Sequence, residues 1–328
     1  MIRWGIVGLG KMANHFANAI KETNNAKLIA ISSTRNRNLH LFGDKFKIDS
    51  KFRFNEYNKI IECSEIDAVY ISTLNDTHFD LIKLCALNKK NILCEKPFCL
   101  NLVEANNLKK IIINNDVKFY EAIAYLSHPL TKKIFDLINK DEIGDVISIE
   151  SSYGFKIKRI SSNYSRLFTK KLGGGAILDL GCYPLSFISL FNDNKNKLEF
   201  KSITKKINKN NIDTVACANI LLKSKINCKI EVSLEENLDN ITIIYGSKGH
   251  LLISQPWLPE KKTYLEVITK LRSYKIFVYS DLSIYANQIK NVSDEFLGNS
   301  NSKLELFRIN QSVENMKYLD FWMKYSSG

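Results

Sequence analysis

None of the seven cysteines (Cys63, Cys85, Cys94, Cys99, Cys182, Cys217 and Cys228) forms a C-x-x-C pair, and none stands with histidine at zinc-ligand spacing. A disulfide framework and a structural metal are therefore not expected. Most of these thiols lie in apolar stretches such as Ile92-Leu93-Cys94, where a free cysteine behaves as a small buried hydrophobe. Long hydrophobic runs are missing too: no stretch approaches the roughly 18 apolar residues needed to cross a bilayer. The opening MIRWGIVGLGKMANHF is broken by glycine and lacks a basic leader and a small-residue cleavage site, so a cytoplasmic protein without a membrane partner is expected. Internal repeats and nucleic-acid reader motifs are likewise absent. The net charge of +13 comes from 47 basic against 34 acidic residues. Those lysines are spread along the whole chain among Asn and Ile, which is a compositional bias rather than a binding stripe, and no nucleic-acid partner is expected. A basic surface still suits a small anionic ligand.

What is present is the composition of a folded protein, 45% hydrophobic and 25% charged. At 328 residues the chain can hold two cores. Short apolar strands are expected at Arg3–Val7, Lys27–Ser32, Ala68–Thr73, Asn91–Cys94 and Lys118–Ala122. Helical patterns fall between them at Met12–Glu22, Asp80–Asn88 and Leu102–Asn114. This alternation predicts a doubly wound parallel sheet, covered on both faces, in residues 1–120. From Val146 the strands lengthen and their connections shorten, through Val146–Phe155, Asp213–Leu222, Ile226–Glu235, Ile241–Tyr245 and His250–Ser254. Residues 121–328 are therefore expected to form an α/β domain with an open, mainly antiparallel sheet. A helix over Leu304–Tyr325 closes the chain, and Asn192–Asn211 reads as a surface loop with a short embedded strand. Pro129, after His128, starts a long helix.

Gly8-Leu9-Gly10-Lys11-Met12-Ala13 is a G-x-G-x-x-A directly after the first strand. The first glycine permits the turn, and the second lets backbone approach a pyrophosphate. The small alanine packs helix on strand. The N-terminus of the helix then offers free N–H groups and a positive dipole end. The pattern points to a Rossmann dinucleotide site. The second strand ends in Ser33-Thr34-Arg35, where an NAD-preferring site places an acid. Small hydroxyls and an arginine accept a 2′-phosphate instead, so NADP is expected, with NAD the alternative.

Two further motifs narrow the reading: Cys94-Glu95-Lys96-Pro97 at a strand end, and Gly173-Gly174-Gly175-Ala176-Ile177-Leu178-Asp179-Leu180-Gly181-Cys182-Tyr183-Pro184 leading from a glycine-rich turn into a helix. With Thr73-Leu74-Asn75-Asp76-Thr77-His78, Glu121-Ala122, Asp213-Thr214, Gly246-Ser247-Lys248-Gly249 and Pro256-Trp257, they make the chain resemble the glucose–fructose oxidoreductase/inositol dehydrogenase (Gfo/Idh/MocA) family. The Gly-Cys-Tyr version of the third motif resembles its dihydrodiol dehydrogenase branch. The resemblance implies hydride transfer between a nicotinamide and a secondary alcohol or ketone of a sugar, polyol or related diol. It also implies a homodimer or homotetramer.

The catalytic residues it implies are Lys96, Tyr183 and Asp179. Moving a hydride at a carbinol carbon demands a proton transfer at its oxygen. Tyrosine, with an ordinary pKa of about 10, is a poor base unless a cation such as Lys96 stabilises its phenolate. Asp179 and Tyr183, four apart, share a helix face; the aspartate either joins catalysis or orients its neighbours. Thr73, Leu74, Asn75, His78, Glu95 and Lys96 would pass the cofactor's ribose and phosphates, and Arg166 would meet the nicotinamide side or an anionic substrate. Two alternatives remain: a nucleotide-sugar ketoreductase, and a non-catalytic NADP-binding sensor.

Overall fold

The computed structural model describes residues 1–157, 166–192, 198–299 and 306–325. The chain divides into two compact units, Met1–His128 with Asp281–Val313, and Pro129–Ser280 with Glu314–Gly328.

In the first unit, strands β1 (Ile2–Val7), β2 (Ala26–Ser32), β3 (Arg53–Phe54), β4 (Ala68–Ile71), β5 (Asn91–Cys94) and β6 (Phe119–Glu121) form a parallel sheet in the order β6-β5-β4-β1-β2-β3. Helices α1 (Lys11–Ala19), α2 (Asn36–Lys45), α3 (Tyr57–Glu62), α4 (His78–Leu87) and α5 (Leu102–Asn114) fill the crossovers. The strands are near-continuous apolar runs because both faces are buried; Ile6, Val7, Ala68, Val69 and Ile71 are 0% exposed. Strand order reverses between β1 and β4, the switch point where ligands bind at the carboxyl ends of open α/β sheets. Trp4 anchors this core, edge-on to Phe16 at 5.4 Å, while Phe16 stacks on Tyr70 at 4.1 Å.

In the second unit, α6 (Pro129–Asn139) and α7 (Cys182–Ser189) accompany an eight-stranded sheet. Its strands are β7 (Val146–Gly154), β8 (Glu199–Ile207), β9 (Asp213–Leu221), β10 (Asn227–Ser233), β11 (Ile241–Gly246), β12 (Gly249–Ser254), β13 (Lys262–Thr269) and β14 (Ser273–Tyr279). The order is β14-β13-β12-β11-β7-β10-β9-β8, antiparallel except for the β7–β10 pair. Lys170–Ser189 is long and apolar enough to span a bilayer, contrary to the sequence expectation, but 78% of its apolar 18-residue window is buried within the protein.

The chain then returns to the first unit. Helix α8 (Ile284–Phe296) packs there, with Ser293 Oγ accepting from Trp4 Nε1 at 3.1 Å. The expected helix over Leu304–Tyr325 is shorter: 300–305 lie outside the described residues, Phe307–Arg308 form a two-residue strand β15 beside β6, and α9 runs Ile309–Lys324. In Asn192–Asn211, 193–197 lie outside the described residues and the embedded strand is the full nine residues of β8. The seven cysteines are free thiols, and burial pushes Cys228 up to about 12.

Candidate active site

The turn after β1 places its glycines for different reasons. Gly8 has φ +90°, and a Cβ there would stand 2.6 Å from Thr73 Cγ2 and 3.0 Å from the Ser72 backbone. Its N–H donates to Ser32 O at 3.0 Å, and Ser72 Oγ donates to its carbonyl at 2.8 Å, so the turn is locked between β2 and β4. Gly10 has an ordinary φ of −91° and no atom within 4 Å of where a Cβ would stand. No described side chain caps α1, which leaves its first amides to an outside acceptor. Open space over uncapped amides fits a pyrophosphate. Leu9 and Met12 flank the turn half-buried, and Lys11 is exposed.

At the end of β2, Ser33 is buried while Thr34 and Arg35 are exposed. Ser33 N donates to Phe54 O at 3.1 Å, and Ser33 Oγ accepts from Arg35 N at 3.2 Å, which fixes the Arg35 backbone as the N-cap of α2. At the end of β4, Thr73 is half-buried, Leu74 is 44% exposed and Asn75 is buried.

The Glu95–Phe98 turn follows β5 and carries Lys96, half-buried, on a cis Lys96–Pro97 bond. Three buried side chains hold this turn. Tyr70 Oη donates to Glu95 Oε1 at 2.5 Å, His78 Nδ1 meets Pro97 O at 2.9 Å, and Phe98 N donates to Glu121 Oε1 at 3.2 Å. His78, expected at the cofactor, is 0% exposed, and its ring supports the turn through Pro97. The glycine turn, Ser33–Arg35, Thr73–Asn75 and Glu95–Lys96 thus all lie at the carboxyl edge of one sheet, as parallel strands require.

Arg166, Asp179 and Tyr183 belong to the second unit. Tyr164 and Ser165, which precede Arg166 in the chain, lie outside the described residues. Asp213 builds this region from beneath. Its Oδ2 accepts from Ile177 N at 2.7 Å, and a Cβ on Gly175 (φ +124°) would stand 2.4 Å from its Oδ1. The glycines let the chain pass over that carboxyl, whose burial pushes its pKa up to about 6 against the pull of the backbone amides. From Ile177, held by Asp213, the chain winds as a π-helix over Ile177–Gly181 before α7 begins, not as the regular α-helix that the i,i+4 reading assumed. Its wider ring offsets Asp179 from Tyr183, and such π-turns concentrate at functional sites.

Arg166 Nη2 donates to Asp179 Oδ1 at 3.0 Å; the aspartate side chain is 6% exposed and the arginine 37%. Two residues whose roles the sequence left open are therefore one ion pair. The half-buried Tyr183 ring lies edge-on to Tyr153 at 5.4 Å and 89°, and 6.1 Å from Trp257, whose Nε1 donates to Ser152 O at 3.4 Å. This packing fixes the direction of the phenol. Sequence reasoning assigned no role to Tyr70, Glu121, Tyr153 or Asp213. Glu121, Asp213 and Trp257 do stand in motifs of the resemblance, which was the available signal.

Comparison with known proteins agrees with this geometry. Residues 2–122 match the profile described as "Oxidoreductase family, NAD-binding Rossmann fold", and residues 131–252 match the "GFO/IDH/MocA C-terminal domain". The trans-1,2-dihydrobenzene-1,2-diol dehydrogenase of Xenopus tropicalis is 28% identical over 263 residues, covering 78% of this chain and 77% of the relative. The mouse (Mus musculus) enzyme of the same name is 25% identical, covering 79% and 76%. Among solved structures, a 3-ketoreductase from Actinomadura kijaniata in complex with NADP and TDP-benzene has a TM-score of 0.86 at 20% identity, covering 97% of this chain and 96% of that one. The aldose-aldose oxidoreductase from Caulobacter crescentus complexed with glycerol reaches 0.88 at 16%, covering 98% and 96%. At such identities these two show the shared fold. The chain belongs to the Gfo/Idh/MocA family of oxidoreductases, with an NAD-binding Rossmann domain followed by that family's C-terminal domain.

Proposed function

We propose that the protein is an NADP-dependent oxidoreductase acting on a secondary alcohol, or the matching ketone, of a cyclic diol, polyol or sugar. The observation that carries this reading is Lys96, presented by a turn clamped at three points, at the same sheet edge as the open Gly8–Gly10 turn. The dinucleotide would be held by Gly8–Met12 and the amides of α1, with Ser33, Thr34 and Arg35 receiving the 2′-phosphate. When bound it supplies or accepts the hydride. The remaining chemistry is proton transfer and charge stabilisation. Tyr183 Oη gives the proton to the substrate oxygen in reduction and takes it back in oxidation. The Lys96 ammonium stabilises the negative charge that develops in that exchange. Arg166 holds Asp179, giving the aspartate an orienting role in the helix that carries Tyr183.

The dehydrogenase relatives support the alcohol–ketone chemistry, and the absence of an acid after β2 supports NADP. Arg35→Ala should weaken NADPH binding by about 1.5–3 kcal/mol, the worth of a charge-assisted hydrogen bond, while leaving NADH binding unchanged. Titration of both cofactors checks this. An equal loss for the two, or a wild-type preference for NADH, contradicts the 2′-phosphate assignment.

A further inference from the structure

Glu121 is 2% exposed at the end of β6, paired in register with Cys94, the last residue of β5. Parallel pairing brings the carboxyl beside the turn that leaves β5, and its Oε1 accepts from the Phe98 amide two residues beyond Lys96. Its surroundings are defined on each side. The turn contributes the Lys96 ammonium, which favours its charged form, and the Glu95 carboxylate, which opposes it. The Ser312 hydroxyl at the start of α9 favours the charge, and the buried Cys94 thiol feels it as repulsion. A carboxyl does not belong in an apolar strand end for packing alone, since burying one without compensation is costly. Phe98 N–H and Lys96 supply the compensation, and both lie on the turn that leaves β5.

We infer that Glu121 is the positioning residue for Lys96, gripping the turn through the Phe98 amide and drawing the ammonium by its charge. This rests on the reading of Lys96 as a working residue of the oxidoreductase. His78 and Tyr70 hold the same turn at Pro97 and Glu95. Glu121 differs from them in bearing a charge opposite to that of Lys96. Burial pushes its carboxyl up to about 7, so the charge that places Lys96 is lost on the acid side of neutrality. Protonation leaves the Phe98 contact as a weaker, neutral hydrogen bond and removes the attraction.

The test uses the full chain. Carboxyl-labelled glutamate is titrated by NMR in the wild type and in Lys96→Met, with the Glu121 resonance assigned by its loss in Glu121→Gln. The expected midpoint is near 7 in the wild type, moving to higher pH in Lys96→Met because the favouring charge is gone. A midpoint that does not move with Lys96 overturns the proposal. In turnover, the wild type should lose activity as pH falls through about 7. Glu121→Gln keeps an acceptor for the Phe98 amide but lacks the charge, so it should lower kcat by roughly 10- to 100-fold and abolish that acid limb, with KM little changed. Glu121→Asp, a second variant against misfolding, should retain a limb. A limb unchanged in Glu121→Gln also overturns the proposal. If the NMR coupling is found but Lys96→Met turns over normally, Glu121 does position Lys96, and the catalytic reading of Lys96 is what fails.

Discussion

Tyr183→Phe should lower turnover by roughly 10²–10⁴, the usual worth of general acid–base catalysis, while cofactor affinity changes little. The substitution removes one oxygen and preserves the ring that Tyr153 and Trp257 hold at 5.4 and 6.1 Å, so α7 and its packing should survive. Lys96→Met should be at least as damaging, because it removes the charge that stabilises the developing anion. The double variant should lose much less than the two single losses combined, since residues that act as one unit are not additive. Steady-state kinetics of the three variants, with NADPH titrations alongside, make the check. A Phe variant at near-wild-type rate would transfer the proton-donor role to Asp179 or a water.

The second large effect separates two glycines two residues apart. Gly10→Val should leave the protein folded, because no atom lies within 4 Å of the new Cβ and φ is −91°. The side chain would occupy the space over the amides of α1. Displacing a pyrophosphate from two charge-assisted hydrogen bonds costs about 3 kcal/mol or more, so affinity for NADPH should fall by roughly 10²-fold. Gly8→Ala should act in the opposite way, costing stability first, because φ +90° disfavours a side chain and Ser72 backbone stands 3.0 Å from the Cβ. Melting curves and NADPH titrations on both variants distinguish the two roles. A Gly10→Val protein that binds NADPH like the wild type would place the pyrophosphate elsewhere.

The parts legible in the sequence were those set by local pattern. β1, β4 and β5 are short apolar runs, and the turn after β1 announces its own backbone demands. The parts that were not legible depend on distant partners or on weak local signals. The hairpin from β13 to β14 turns through Lys270–Arg272, closed by Thr269 N donating to Arg272 O at 2.9 Å, without the Gly or Asn that usually marks a hairpin. β8 is a lysine-bearing edge strand with mostly exposed residues, a composition that reads as loop but suits a protected sheet edge. Helix α8 buries Gln288 and Ser293 along with Ile289 and Val292. Its apolar face is thus interrupted, and its hydrogen bond to Trp4 spans 289 residues of sequence. At the site, the residue types were legible and their supports were not. Lys96 stands in a motif, whereas Tyr70, His78 and Glu121 converge on its turn only through the register of β4, β5 and β6 and the start of α4.

The claim that matters most is hydride transfer to a carbinol carbon, and isotope transfer reads it directly. The protein would be incubated with NADPH deuterated at the nicotinamide C4 and with a panel of cyclic ketones, keto-sugars and quinone-like diones. Products would be examined by mass spectrometry and NMR. The account predicts one deuterium on the carbinol carbon of at least one product class, strongly diminished label with Tyr183→Phe or Lys96→Met, and retained NADPH binding in Tyr183→Phe. NADPH that binds tightly to the wild type yet delivers no deuterium to any member of the panel would contradict it and favour a dinucleotide sensor.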